Sequence, residues 1–387
     1  MRIAYDHQAF CLQKTGGISR YFCRLAEELA LTQQVGIFAP LYRNQYLNAL
    51  PKDLVHGYGV KDYPPKTAGL FVGANALLSS PMMRAWHPEV VHETYFSFKT
   101  TGPVPSGTRS QKNCPRVITV FDMISELELE EKKGTGADLR ASAKFAAVSR
   151  ADHVLCISEH TRQDLLRLFD VPKQKASVIH LGCDVPESAQ KKNVESQHSA
   201  RHKHPRPYLL YVGLRGGYKN FSRLLKAIAA SAQIRQDFDL IAFGGNAFSE
   251  QEQALIQQLG FAPLQIRQLA GSDDELGLLY SEAAAFVYPS TYEGFGLPPL
   301  EAMAHNCPVV SSDRSSMPEV IGSAAEFFDP ESIDAMAFAL ERVLFSTERA
   351  NELRQKGQAR IQDFTWQRCA QETLRVYQSL IFSHGTD

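Results

Sequence analysis

Two carboxylates, Glu293 and Glu301, stand on either side of the turn Gly294-Phe295-Gly296-Leu297-Pro298-Pro299-Leu300. An apolar run at 284–288 reads as a strand entering this turn, and Pro298 or Pro299 can open the helix that leaves it. The first carboxylate therefore belongs to a loop and the second to the first turns of a helix. The glycines let the backbone pass close to a ligand, and free N–H groups at the helix start face an anion. Such a layout can address two ends of one elongated polar molecule with negative charge at its middle. The plainer alternative is a strand-to-helix connection with two solvated glutamates. A second cluster lies in Gly213-Leu214-Arg215-Gly216-Gly217-Tyr218-Lys219-Asn220, where Arg215 and Lys219 are two cations on a glycine-rich loop. Together they can neutralise a diphosphate, the arginine through two parallel hydrogen bonds; taken alone they read as surface charges.

Three further positions can carry chemistry. Gly16 and Gly17 precede a helix after the first strand, which suits either a phosphate approach or a tight strand-to-helix turn. His92 and Glu93 close one strand pattern. Phe121 and Asp122 follow another, so all four fall where ligands sit in open parallel sheets. Asp122 reads equally as an acceptor-facing group or as a helix cap or turn residue.

Positioning these groups requires alternating strands and helices. Strand patterns fall at 2–5, 35–40, 89–92, 116–120, 151–157 and 177–181, then again at 208–212, 238–243, 284–288 and 308–311. Helical spacing fills 18–31, the stretch from an N-cap at Ser158 to 169, a segment ending near 234, then 250–259, 273–283, 298–305 and 363–381. The stretch 41–65 has no clear pattern. Regular alternation predicts parallel sheets covered on both faces. Residues 186–207 are polar and basic and read as a linker; His202 and His204 within it read as solvated rather than as a metal pair. The expected organisation is an N-terminal domain at 1–185, the linker at 186–207, a C-terminal domain at 208–362 and a final amphipathic helix within 363–387.

A nucleotide sugar fits the chemistry, with hydroxyls at one end, a diphosphate in the middle and a ribose at the other. The run Ser290-Thr291-Tyr292-Glu293-Gly294-Phe295-Gly296-Leu297-Pro298, followed by Glu301-Ala302-Met303-Ala304, resembles the donor-sugar signature of retaining GT-B glycosyltransferases of family four. The resemblance is strong from Tyr208 to Ile321 and looser from Met1 to Cys183. It implies an α/β fold of two Rossmann-like, doubly wound parallel-sheet domains facing across a cleft, with the last helix crossing back onto the first domain. It assigns Glu293 to the donor sugar hydroxyls, the backbone of Gly294, Phe295, Gly296 and Leu297 to sugar and phosphate, and Glu301 to the ribose. Arg215 and Lys219 take the diphosphate, and Gly17 meets donor phosphate and acceptor. Asp313, Ser315, Met317, Pro318 and Glu319 resemble a segment that packs near the donor site. Relatives carry a histidine where this chain has Phe121, so acceptor assistance falls to Asp122, His92 or Glu93.

The implied activity is a front-face, retaining hexosyl transfer to a glycan or lipid-linked glycan hydroxyl in bacterial polysaccharide or O-antigen assembly, with mannose from GDP-mannose favoured. The nucleotide sugar is a co-substrate; no cofactor and no metal is expected, there being no Asp-x-Asp motif. A nucleotide-sugar epimerase or hydrolase of the same fold, or a non-catalytic nucleotide-sugar binder, are the alternatives. A formal charge of -1 over 387 residues gives no global case for nucleic acid. With 44% hydrophobic and 21% charged residues, the composition is that of a globular chain. Seven scattered cysteines, an odd count without a Cys-x-x-Cys, point to free thiols in a reducing compartment. A cytoplasmic protein, touching the inner face of a membrane only peripherally, is expected.

Overall fold

A computed structural model describes residues 1–100, 114–131, 139–185 and 206–383. The linker stretch 186–207, with His202 and His204, lies outside the described residues apart from Arg206 and Pro207. The chain divides into two compact units: Met1–Gly182 together with the segment from Trp366 onward, and Cys183–Thr365.

In the first unit β1 (Arg2–Tyr5) leads to α1 (Gln8–Leu12) and α2 (Gly17–Ala30). Then come β2 (Gln34–Ile37), the short pair β3 (Leu41–Tyr42) and β4 (Tyr58–Gly59), and α3 (Ala68–Trp86). The unit continues through β5 (Val90–Glu93), β6 (Arg116–Val120), α4 (Ile124–Glu131), α5 (Leu139–Arg150), β7 (His153–Cys156), α6 (Glu159–Phe169) and β8 (Ala176–Val178). Six of these strands form a parallel sheet in the order β2-β1-β5-β6-β7-β8. β5 and β6 are buried along their whole length, as expected of strands covered on both faces. Ser158 caps α6 by accepting from the Thr161 amide.

The second unit runs β9 (Tyr208–Val212), α7 (Phe221–Ala230), α8 (Ala232–Asp237), β10 (Asp239–Phe243), α9 (Glu250–Gln258), β11 (Ile266–Leu269), α10 (Asp273–Glu282) and β12 (Ala285–Tyr288). It ends with α11 (Leu297–Ala304), β13 (Val309–Ser312), α12 (Met317–Ile321), β14 (Ala325–Phe328), α13 (Ile333–Leu344) and α14 (Thr347–Arg360). Its parallel sheet has the order β11-β10-β9-β12-β13-β14. Chain direction along the sheet therefore reverses between β9 and β12, and β9 pairs directly with β12. The loops leaving those two strands emerge side by side at the switch point, where open α/β sheets hold ligands. They are the two loops singled out by composition.

The last helix, α15 (Trp366–Ser383), belongs to the first unit and packs on α2. Its Trp366 lies so close to Gly182 that a Cβ there would stand 2.5 Å from the indole, so this crossing needs a glycine. Tyr377, fully buried, reaches into an aromatic cluster with Tyr5, Tyr21, Phe22 and His92. Phe121 stands edge-on to Tyr21 at 5.4 Å and joins the same cluster. All seven cysteines are free thiols, six of them buried.

Candidate active site

Gly213 follows β9 at φ +123 and Gly217 sits at φ +54, so the loop turns through backbone conformations that favour glycine. Asn220 ends the loop at φ 61, and its side-chain amide donates to Pro289 O and Pro330 O at 3.0 and 2.8 Å. The Thr291 amide donates to Tyr218 O at 2.8 Å. These bonds tie the β9 loop to the β12 loop. Lys219 is thereby held against Glu293: its Nζ lies 2.7 Å from Oε1, with both side chains mostly buried. Tyr288 also hydrogen-bonds Glu293, and its phenol is pushed well above its ordinary range, by burial first and by the Glu293 charge second.

Glu293 is braced from behind. Its amide donates to Ser315 Oγ at 3.1 Å, and its carbonyl accepts from the hydroxyls of Ser315 and Ser316. The Ser316 hydroxyl also donates to Phe295 O at 2.9 Å. Phe295 is 3% exposed and packs edge-on against Phe364, so its side chain anchors the loop and only its backbone is left for a ligand. Gly296 adopts φ +108, and a Cβ there would meet Met317 Cε at 2.8 Å. Gly296→Ala is therefore expected to cost about 1–3 kcal/mol of stability, read as a lower denaturant midpoint, while Gly216→Ala in the other loop costs less. Glu301 lies within α11 and accepts from the Tyr280 hydroxyl at 3.4 Å.

Arg215 does not join Lys219 on Glu293. Its Nε donates to Glu252 Oε1 at 2.7 Å, and its Nη atoms donate to the carbonyls of Gly244, Asn246 and Ala247. The guanidinium also packs on the face of Phe248 at 4.8 Å. Glu252 completes a capping box with Ser249, so one carboxylate starts α9 and holds Arg215. Burial alone would raise the Glu252 carboxyl; the bonds from Arg215 and Ser249 outweigh it and hold the group below its ordinary value. Arg215 thus fastens the β10–α9 loop to the β9 loop while lining the same cavity as Lys219. Sequence reasoning missed Glu252, although the Ser249-x-x-Glu252 spacing was readable as a capping box. A cavity of about 850 Å³ opens against both loops and is lined by Arg215, Lys219, Arg223 and Lys226, with Glu252 its one carboxylate. Lys219 borders both this cation-rich space and Glu293.

In the first unit the expectations at the strand ends need correction. His92 is fully buried, with Nδ1 2.6 Å from the Tyr377 hydroxyl and Nε2 2.9 Å from Thr119 Oγ1. Burial pushes its pKa down to about 3, the Asp6 charge opposing weakly, so both ring nitrogens serve the core rather than an acceptor. Glu93 is buried between Arg116 at 3.1 Å and Arg150 at 2.5 Å. Asp122 accepts from the Ile124 amide at 3.2 Å, forming a turn at the head of α4, and its half-exposed carboxylate lies 3.8 Å from Lys144. Gly17 is exposed at the start of α2, and a Cβ there would meet no described atom within 4 Å. Among the described residues no three His, Cys, Asp or Glu side chains are gathered to hold a metal ion.

Residues 15–187 match the family described as Glycosyltransferase Family 4, and residues 193–360 match Glycosyl transferases group 1. The O-antigen chain mannosyltransferase B of Escherichia coli is 30% identical over 94% of this chain and 96% of its own length. Among solved structures, the sucrose-phosphate synthase of Thermosynechococcus elongatus superposes with a TM-score of 0.70 at 20% identity, over 99% of both chains. The Anabaena protein HepE, solved with UDP and glucose, superposes with a TM-score of 0.67 at 16% identity, over 98% of this chain and 99% of that one. The chain belongs to the glycosyl transferases group 1 family of glycosyltransferases and has the GT-B fold.

Proposed function

We propose that this glycosyltransferase moves a hexose from a nucleotide sugar to a hydroxyl of a glycan or lipid-linked glycan during bacterial polysaccharide assembly, with retention of configuration. Mannose from GDP-mannose is the favoured donor, because the relative matched over nearly its whole length is named as an O-antigen chain mannosyltransferase. The observation that carries the reading is Lys219, which contacts Glu293 at 2.7 Å and lines the cation-rich cavity. A cation in that place can stabilise the charge that grows on a departing nucleoside diphosphate, while Glu293 accepts hydrogen bonds from the sugar. Positive charge supplied by side chains makes the transfer independent of a divalent metal. Glu301 takes the ribose hydroxyls and the amides of Gly294 to Leu297 approach the sugar and phosphate; in the first unit Gly17, exposed at the start of α2, is the candidate for donor phosphate and acceptor. Asp122, its carboxylate half open to solvent, is the acceptor-side candidate left once His92 and Glu93 are assigned to the core.

Thermal unfolding in the presence of GDP-mannose, UDP-glucose and UDP-galactose tests the donor. A donor present at a hundred times its Kd adds about 2.7 kcal/mol, so only the true one shifts the midpoint strongly. Transfer to a glycan acceptor in excess EDTA then tests the reaction. Product that forms only on adding a divalent ion would overturn the metal-independent route, and no product with any hexose donor would overturn the reading.

A further inference from the structure

The strand β12 divides its side chains between two faces. Ala285 and Val287 join the apolar core of the second unit, while Phe286 and Tyr288, next to them in the chain, turn to the other side of the sheet. Both of the latter are buried, and their rings lie 5.8 Å apart. Phe286 also meets Tyr280 of α10 edge-on at 5.4 Å, and Tyr280 is 1% exposed. Tyr280, Phe286 and Tyr288 thus form a buried row of rings with a phenol at each end.

Phenylalanine would fill the same space, and a buried hydroxyl without an acceptor is costly. Each phenol finds a carboxylate of the candidate site. The Tyr288 hydroxyl bonds Glu293, and the Tyr280 hydroxyl donates to Glu301 Oε2 at 3.4 Å. Burial first and the neighbouring carboxylate second push both phenols well above their ordinary range, so each keeps its proton and acts as a donor. The row also braces what surrounds the carboxylates. Lys219 Nζ stands over the Tyr288 ring at 5.7 Å and over the Tyr218 ring at 5.2 Å, so the ammonium beside Glu293 is held by two aromatic faces as well. At the other end His305 stacks on Tyr280 at 5.6 Å, and its Nδ1 donates to Glu301 O at 2.8 Å, fixing the C-terminal turn of α11. Gly277 makes room for that imidazole, since a Cβ there would stand 2.8 Å from Nε2.

We infer that Tyr288 and Tyr280 are positioning residues that set the direction of Glu293 and Glu301, and with it the distance between the two ends of the donor that the site accepts. This role rests on the proposed function, in which Glu293 meets the transferred sugar and Glu301 the ribose. When a diphosphate draws Lys219 toward itself, Tyr288 is the side-chain donor that still holds Glu293. The two ends then differ in effect. Contacts to the sugar change as its bond to the leaving group breaks, so loosening Glu293 acts on kcat; the ribose is bound alike in ground and transition states, so loosening Glu301 acts on KM.

The test is transfer kinetics of Tyr288→Phe, Tyr280→Phe and Tyr377→Phe with GDP-mannose, or with whichever of UDP-glucose and UDP-galactose the wild type turns over. Tyr377 is a buried phenol of the first unit whose hydroxyl lies 2.6 Å from His92 Nδ1, so its variant reports what losing such a bond does to the fold alone. Tyr288→Phe is expected to lower kcat about tenfold and Tyr280→Phe to raise the donor KM about fivefold, whereas Tyr377→Phe lowers Tm and changes neither. Coupling completes the test: Tyr280→Phe placed on Glu301→Ala should raise KM no further, and Tyr288→Phe placed on Glu293→Gln should lower kcat no further. Additive losses, or Tyr288→Phe and Tyr280→Phe variants with the kinetics of Tyr377→Phe, overturn the inference and leave the proposed function standing. A wild type that transfers no hexose from any of the three donors overturns both.

Discussion

Lys219→Ala is expected to lower kcat/KM for sugar transfer by about 10²–10³-fold, because in the proposed reaction it removes a cation that stabilises the charge developing on the leaving diphosphate. Glu293→Ala should do comparable damage from the other side of the same 2.7 Å contact, by removing the proposed acceptor for sugar hydroxyls. Each single change also leaves a mostly buried charge without its partner, which costs about 2 kcal/mol where the site is open on one side. Stability and activity must therefore be separated. The double variant Lys219→Met/Glu293→Gln removes both charges at similar volume and should regain much of the stability lost by the single variants, yet remain as inactive as the worse of them. Recovery of transfer together with stability would show that the pair serves only the fold. Arg215 offers a contrast. Arg215→Lys keeps a charge in the cavity but cannot reproduce four bonds to Glu252, Gly244, Asn246 and Ala247. Its effect should appear in stability and donor KM, with kcat changed less than in Lys219→Ala.

The parts of the molecule readable beforehand share one physical property, a local signal. Buried parallel strands such as Arg116–Val120 and Asp239–Phe243 are short apolar runs, and they recur with helices between them. The two edge strands escaped because polar residues interrupt them: β11 reads Ile-Arg-Gln-Leu and is half-buried after Ile266, and β14 reads Ala-Glu-Phe-Phe, its buried Glu326 paired with Arg342 and Arg349. Helix α3 escaped for the opposite reason, its leucines lying where a helical pattern would put the polar face. In the site, Lys219 and Glu293 were legible because each sits in a glycine-marked loop, and the β9–β12 pairing carried them together. The partner of Arg215 was not, since Glu252 arrives in the first turn of α9, whose position depends on β10 lying beside β9. His92 and Glu93 stand at a strand end that reads in the sequence as an open edge and is closed in the fold. Tyr377, from a helix 285 residues further along, covers His92, and Arg116 and Arg150 cover Glu93.

That burial makes His92 an acid-sensitive point in the first unit. The folded protein holds the imidazole neutral down to about pH 3, whereas an unfolded chain protonates it near 6.5. Below about 6.5 the unfolded state therefore binds a proton that the folded state refuses, and stability falls by up to about 1.4 kcal/mol for each pH unit, the loss ending near the folded value. His7, also pushed down by burial, acts in the same sense. Glu93, whose carboxyl is raised by burial despite Arg150 and Arg116, acts in the opposite sense just above its unfolded value, so the steepest loss comes between pH 6.5 and 5. Both tryptophans, Trp86 and Trp366, belong to the first unit, so tryptophan fluorescence reports its unfolding without the second. Urea titrations followed in this way should lose about 1–2 kcal/mol between pH 6.5 and 5 in the wild type. His92→Gln, less stable at pH 7 because Tyr377 and Thr119 lose an ideal partner, should show a visibly flatter dependence over the same interval. An identical slope in the two proteins would mean that His92 is not the group that charges on unfolding, and that the seam between β5 and α15 is wetter than its geometry implies.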